Sequence, residues 1–155
     1  MSLELSQEIK QKAPFSSLEH AAQISIIRTS SRIVDAFEQM LKPHGITATQ
    51  FNVLRILRGA GEEGLCRYEI AERMVTRMPD VTRLLDRMEE SGYIARERST
   101  EDRRMVQTTL TETGRRLLAK IDDEVAAEQQ RPFRTLNPEQ LETLIALLSQ
   151  VRQNT

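Results

Sequence analysis

One cysteine, Cys66, in 155 residues leaves no room for an internal disulfide framework or a multi-thiolate zinc site. The two histidines, His20 and His44, stand isolated, without metal-ligand spacing around them, so neither a metal nor a cofactor is expected. No apolar run approaches the roughly 18 residues of a membrane span, and the opening MSLELSQEIK lacks the apolar stretch of a signal peptide. The expectation is a cytoplasmic chain with no membrane partner. A nucleophile beside a base, paired carboxylates and a glycine-rich phosphate loop are also missing, so no catalytic residues are assigned and an enzyme is not expected. An excess of either charge is absent too. The net charge is −1, and residues 67–104 hold nine arginines against nine acids. Nucleic-acid binding would therefore depend on where the arginines point, not on their number. With 39% hydrophobic and 29% charged residues, and no repeats or low-complexity segments, the chain reads as one domain with a core of its own.

Apolar periodicity organises that domain. Residues 1–15 read as a loose arm ending at Pro14-Phe15. From Ser16-Ser17 to Leu41, the residues Leu18, Ala21, Ile24, Ile27, Val34, Phe37 and Leu41 recur at helical spacing, and Ile26, Ile33 and Met40 widen the stripe. Pro43-His44-Gly45 ends that helix. His44, in this turn, is read as a solvated loop residue, with a ligand cleft as the other option. Thr47 and Gln50 form a capping box that opens a second helix carrying Phe51, Leu54 and Leu57. A loop over Gly59–Gly64 and a short helix from Arg67 to Met74 follow. Cys66, just before that helix, is expected to be structural.

The next stretch, VTRMPDVTRLLDRMEESGYIARERS, predicts a helix with Pro79 in its first turn and Asp80 at the positive end of its dipole. On the helical wheel Val81, Leu84, Leu85 and Met88 cover the core side. Pro79, Arg83 and Asp86 lie opposite, with Thr82 and Arg87 on the flanks. Gly92 closes the helix. Two short β runs, Arg96–Arg98 and Met105–Leu110, then flank a polar tip from Ser99 to Arg104. Helix, turn, helix and two-stranded ribbon make a winged helix-turn-helix, whose second helix meets the major groove through its N-terminal residues. A small α+β module with merely solvated arginines, or a winged helix used for protein contacts without specific DNA binding, fits the same pattern. Thr111 caps another helix running to about Gln130, and Asn137-Pro138-Glu139-Gln140 opens the last one, with Leu141, Leu144, Ile145, Leu148 and Val151. The surplus apolar surface on the outer helices calls for a partner, and a second copy is the simplest.

DVTRLLDRMEESGYIARERSTEDRRMVQTTLTETG, together with TQFNVLRIL, resembles the MarR family of bacterial transcriptional regulators, and the likeness runs from about Ser16 to Val151. The first piece is similar to the family's recognition helix, wing strand, Asp-x-Arg wing tip (Asp102, Arg104) and following helix start. TRMPDVTR departs from the commoner Ser- and Thr-rich start of that helix. The resemblance implies a mostly α (α+β) homodimer in which residues 46–110 form the winged DNA-binding part and residues 16–43 and 111–152 the dimerisation helices. It also implies a repressor released by a small aromatic or carboxylate ligand, and an inverted-repeat operator in double-stranded DNA. DNA contacts are expected from Arg77, Met78, Asp80, Thr82, Arg83 and Arg87 on the recognition helix. The wing is expected to add Arg98, Ser99, Asp102, Arg103 and Arg104, with its tip at the minor groove or its phosphates and Asp102 holding an arginine in pose.

Overall fold

The computed structural model describes residues 2–98 and 105–154. Among the described residues, seven α-helices and a three-stranded antiparallel sheet follow in the order α1 (Ser2–Glu8), α2 (Leu18–Leu41), α3 (Ala48–Ala60), β1 (Leu65–Cys66), α4 (Arg67–Arg73), α5 (Val81–Glu90), β2 (Ile94–Arg98), β3 (Val106–Leu110), α6 (Glu112–Gln130) and α7 (Pro138–Gln153). Three helix starts are set by the side chains expected to set them. Thr47 accepts from the Gln50 N–H while Gln50 accepts from the Thr47 N–H, and Asn137 and Gln140 repeat that exchange at α7. Thr111 accepts from the Gly114 N–H and donates to the Gly92 carbonyl at 2.6 Å, joining the start of α6 to the end of α5. Gly92 takes the left-handed conformation (φ +74°) that suits the residue after a helix.

Three expectations need correction. The first residues are not a loose arm throughout. Ser2–Glu8 is helical, and the Glu8 carboxylate reaches Arg32 at 3.2 Å and Arg28 at 3.9 Å on α2. Pro79 lies outside α5, because Asp80 takes the N-cap position and its carboxylate accepts from the Arg83 N–H at 2.9 Å. His44 is not a solvated loop residue: its ring is nearly buried and Nε2 lies 3.0 Å from the Glu124 carboxylate of α6.

The sheet order is β1-β3-β2, with Arg96 opposite Thr108 and Leu65 also opposite Thr108. One core runs beneath it. Leu54 and Leu57 of α3, Ile70 of α4, Leu85 and Met88 of α5, Ile94 of β2 and Leu118 and Ile121 of α6 are all essentially inaccessible and belong to one cluster. The winged part is thus built directly onto α6. The outer helices differ. In the 24 residues of α2 only Leu41 is buried, and α7 buries none of its residues. Ile27, Val34, Ile145, Leu147 and Val151 all stand exposed.

Gly114 shows how tightly α6 is seated. A Cβ there would overlap the Tyr93 carbonyl oxygen and lie 3.0 Å from Leu110 Cδ2. That carbonyl already accepts from the Thr111 N–H at 3.1 Å and is not free to move. Gly114→Ala should destabilise the fold by about 1–3 kcal/mol, the usual cost of overpacking. A thermal midpoint equal to that of the parent chain would show that the Tyr93 peptide yields.

Candidate nucleic-acid interface

Amphipathicity orients α5. Val81, Leu85 and Met88 are buried against the core, which leaves Thr82, Arg83 and Arg87 in solvent. Arg83 and Arg87 are four residues apart and so stand as neighbours on one face. Neither guanidinium meets a carboxylate among the described residues, and the same holds for Arg77 and Arg98. Asp80 is committed to capping α5, so the one acid at the start of the helix is tied to the backbone. The turn between α4 and α5 is fixed by Asn52 of α3, whose Oδ1 accepts from the Val75 N–H at 3.0 Å. Beside that turn Tyr68, Ala71, Met74, Val75, Arg77 and Met78 line a surface groove.

The wing is anchored to α5 by a residue that sequence reasoning did not put in the site. Arg96 Nε donates to Glu89 at 2.9 Å, its Nη2 donates to the same carboxylate and to Asp86 at 2.7 Å, and its backbone N–H reaches the other Glu89 oxygen at 3.2 Å. The Glu89 hydrogen bonds, with Asp86 adding to them, raise the arginine pKa still further above its ordinary value. The guanidinium stays charged at any physiological pH and pairs with two acids beside α5. Its signal in the sequence was faint: an arginine in a strand next to acids on the preceding helix. Arg67 was also missed. It donates to Thr82 Oγ1 at 3.0 Å.

The structure therefore brings Thr82, Arg83 and Arg87 onto one exposed face, with Arg77 and Met78 in the turn that leads into it. Arg98 ends β2, exposed, at the root of the wing. Ser99, Asp102, Arg103 and Arg104, expected at the wing tip, lie outside the described residues. Among the described residues no group of His, Cys, Asp and Glu side chains has the arrangement of a metal site, and no helix is long and apolar enough to cross a membrane. Cys66 sits at the N-cap of α4, its N–H donating to Glu69 Oε2 at 2.8 Å.

The sequence model of the MarR family matches residues 46–106, which hold α3, β1, α4, α5 and β2 and end at the first residue of β3. The HTH-type transcriptional regulator YkoM of Bacillus subtilis is 35% identical over 107 residues, 69% of this chain and 68% of its own length. The crystal structure of a MarR transcription factor from Planctomyces limnophilus is 34% identical with a TM-score of 0.67, covering 87% of this chain and 98% of that one. The chain belongs to the MarR family. It is a MarR-family transcriptional regulator, a DNA-binding winged helix and not an enzyme. A mutant of MarR from E. coli complexed with operator DNA is 27% identical with a TM-score of 0.74, covering 81% of this chain and 89% of that one.

Proposed function

We propose that this MarR-family regulator is a homodimeric repressor that reads an inverted-repeat operator and is released by a small aromatic or carboxylate ligand. The observation that carries the reading is the exposed start of α5, where Arg83 and Arg87 meet no carboxylate among the described residues, on a helix seated on the core and tied to the preceding turn and to β2. Arg83 suits the acceptor edge of a guanine, Met78 a thymine methyl, and Thr82 and Arg77 the neighbouring base edges or backbone. Asp80 contributes by fixing the first turn of the helix. Arg87 and Arg98 go to phosphates, and the wing tip, with Asp102 bracing Arg104, goes to the minor groove. The complex of E. coli MarR with its operator supports this mode of docking.

Residues 46–110 are the DNA-reading part of this design, and 16–43 with 111–152 assemble the dimer. Support for the second copy comes from the apolar side chains left uncovered on α2 and α7. A two-fold dimer spaces its half-sites about 10 bp apart. Ligand release is supported by a cavity of about 470 Å³ where α2 and α6 face α3 and the turn before α5. Phe37 and Phe51, edge-to-face at 5.3 Å, offer an aromatic wall, and Arg55 offers a cation for a carboxylate. Asn52 and Val75 line the same cavity and share the hydrogen bond that sets the turn, so an occupant competing for Asn52 would displace the approach to α5.

The test is an operator selected from a random duplex pool by the purified protein, then challenged with Arg83→Ala. Base preference should relax at one position of each half-site, at a cost of about 1–3 kcal/mol. A loss of equal size on every operator variant would make Arg83 a backbone contact.

A further inference from the structure

Arg67 opens α4 and Thr82 is the second residue of α5, so the hydrogen bond from Arg67 Nη1 to Thr82 Oγ1 ties together the first turns of both helices of the motif. The same guanidinium lies over the Tyr68 ring, 4.6 Å from its centroid. We propose that Arg67 is a positioning residue that turns the Thr82 hydroxyl into a hydrogen-bond donor aimed at a base edge, so that the operator position facing Thr82 excludes cytosine. This rests on the reading that the start of α5 enters the major groove.

A threonine hydroxyl has one hydrogen and two lone pairs, and alone it reads donors and acceptors alike. The Arg67 cation occupies one lone pair. Its charge polarises the hydroxyl, which strengthens the hydrogen as a donor and weakens the remaining lone pair as an acceptor. It also drives the hydroxyl hydrogen away from itself, toward the solvent side where DNA would lie. In the major groove guanine, adenine and thymine each present an acceptor, whereas cytosine presents only its amino donor. Donor would face donor there, with a cation behind.

A competing effect is that Arg67 could abandon Thr82 for a phosphate, since a charged acceptor holds a guanidinium more strongly than a hydroxyl does. Two contacts oppose the swing. The stack on Tyr68 and the bond to Thr82 hold the planar fork in one orientation, so its rotamer entropy is already spent before DNA arrives.

The experiment is selection from a random duplex pool by the unaltered chain and by Thr82→Val, Arg67→Ala, Arg67→Met and the Arg67→Met/Thr82→Val double variant. The parent should disfavour cytosine at one position per half-site by roughly 5- to 150-fold, the range set by leaving a donor unsatisfied. Thr82→Val should remove that exclusion, and so should both Arg67 variants, at the same position. Arg67→Met keeps the stem against Tyr68, so its agreement with Arg67→Ala separates the lost donor from any local unfolding. The double variant should match Thr82→Val in base preference. Arg67 variants that bind more weakly everywhere yet still exclude cytosine would overturn the proposal and leave the docking of α5 intact. The proposal also fails if Thr82→Val leaves every position unchanged. If Arg83→Ala is silent as well, the docking of α5 fails with it.

Discussion

Operator affinity should fall roughly 10³–10⁵-fold between 50 and 200 mM salt, the response of a dimer that neutralises about 6–10 phosphates. A chain of net charge −1 invites the opposite expectation, since its monopole would give DNA nothing to attract. The local effect wins. Counterion release depends on cations laid against phosphates, and at physiological salt acids farther than about 8 Å from the interface are largely screened. The distribution of ion pairs sorts the charges accordingly. Arg58 is engaged by Asp122, Arg131 by Glu128 and Arg96 by Asp86 and Glu89, while Arg77, Arg83, Arg87 and Arg98 meet no carboxylate among the described residues. Fluorescence anisotropy across a salt series should give a log–log slope of about −5 to −9. A slope near zero on both operator and random duplex would mean that these arginines do not touch phosphates, and that the winged helix serves protein contacts instead.

What could be read from the sequence was what neighbouring residues decide between themselves. The caps at Thr47, Thr111 and Asn137 need only a side chain and a backbone N–H three residues on, and they stand where the pattern put them. The buried face of α5 followed from spacing alone. Pro79 failed locally as well: proline and aspartate both favour a helix start, and a capping hydrogen bond to Arg83 outranks a ring that merely tolerates the first turn. The remaining misses are long-range. The helix at Ser2–Glu8 goes with ion pairs to Arg28 and Arg32, a β1 of two residues carries no period, and His44 meets a glutamate 80 positions away. In the site, the exposed arginines of α5 were legible because helical geometry places them. Arg67 and Arg96 were not, since their partners lie on other elements, 15 residues away for Thr82 and seven for Glu89.

The 155-residue chain should sediment at twice its 17.8 kDa, and Ile145→Glu should weaken that association by roughly 10²–10⁴-fold. In a single chain Ile145 is 64% exposed, so a glutamate there touches nothing that holds the monomer together. Surface substitutions of that kind change stability by no more than about 0.5 kcal/mol. In a two-fold dimer that buries α7 the balance reverses. Each copy loses the burial of an isoleucine side chain, about 1.5–3 kcal/mol, and symmetry makes the loss occur twice. A desolvated carboxylate without a partner adds to the penalty. Affinity for a full operator should fall with it, because two unlinked half-sites no longer raise each other's effective concentration, while contacts within one half-site remain. Sedimentation equilibrium from nanomolar to micromolar chain concentration reads the first effect directly. A parent chain that is a stable, well-folded monomer at micromolar concentration would end the dimer proposal. A parent dimer with the same dissociation constant as Ile145→Glu would instead take α7 out of the interface and leave α2, with Ile27 and Val34 exposed, as the surface that pairs.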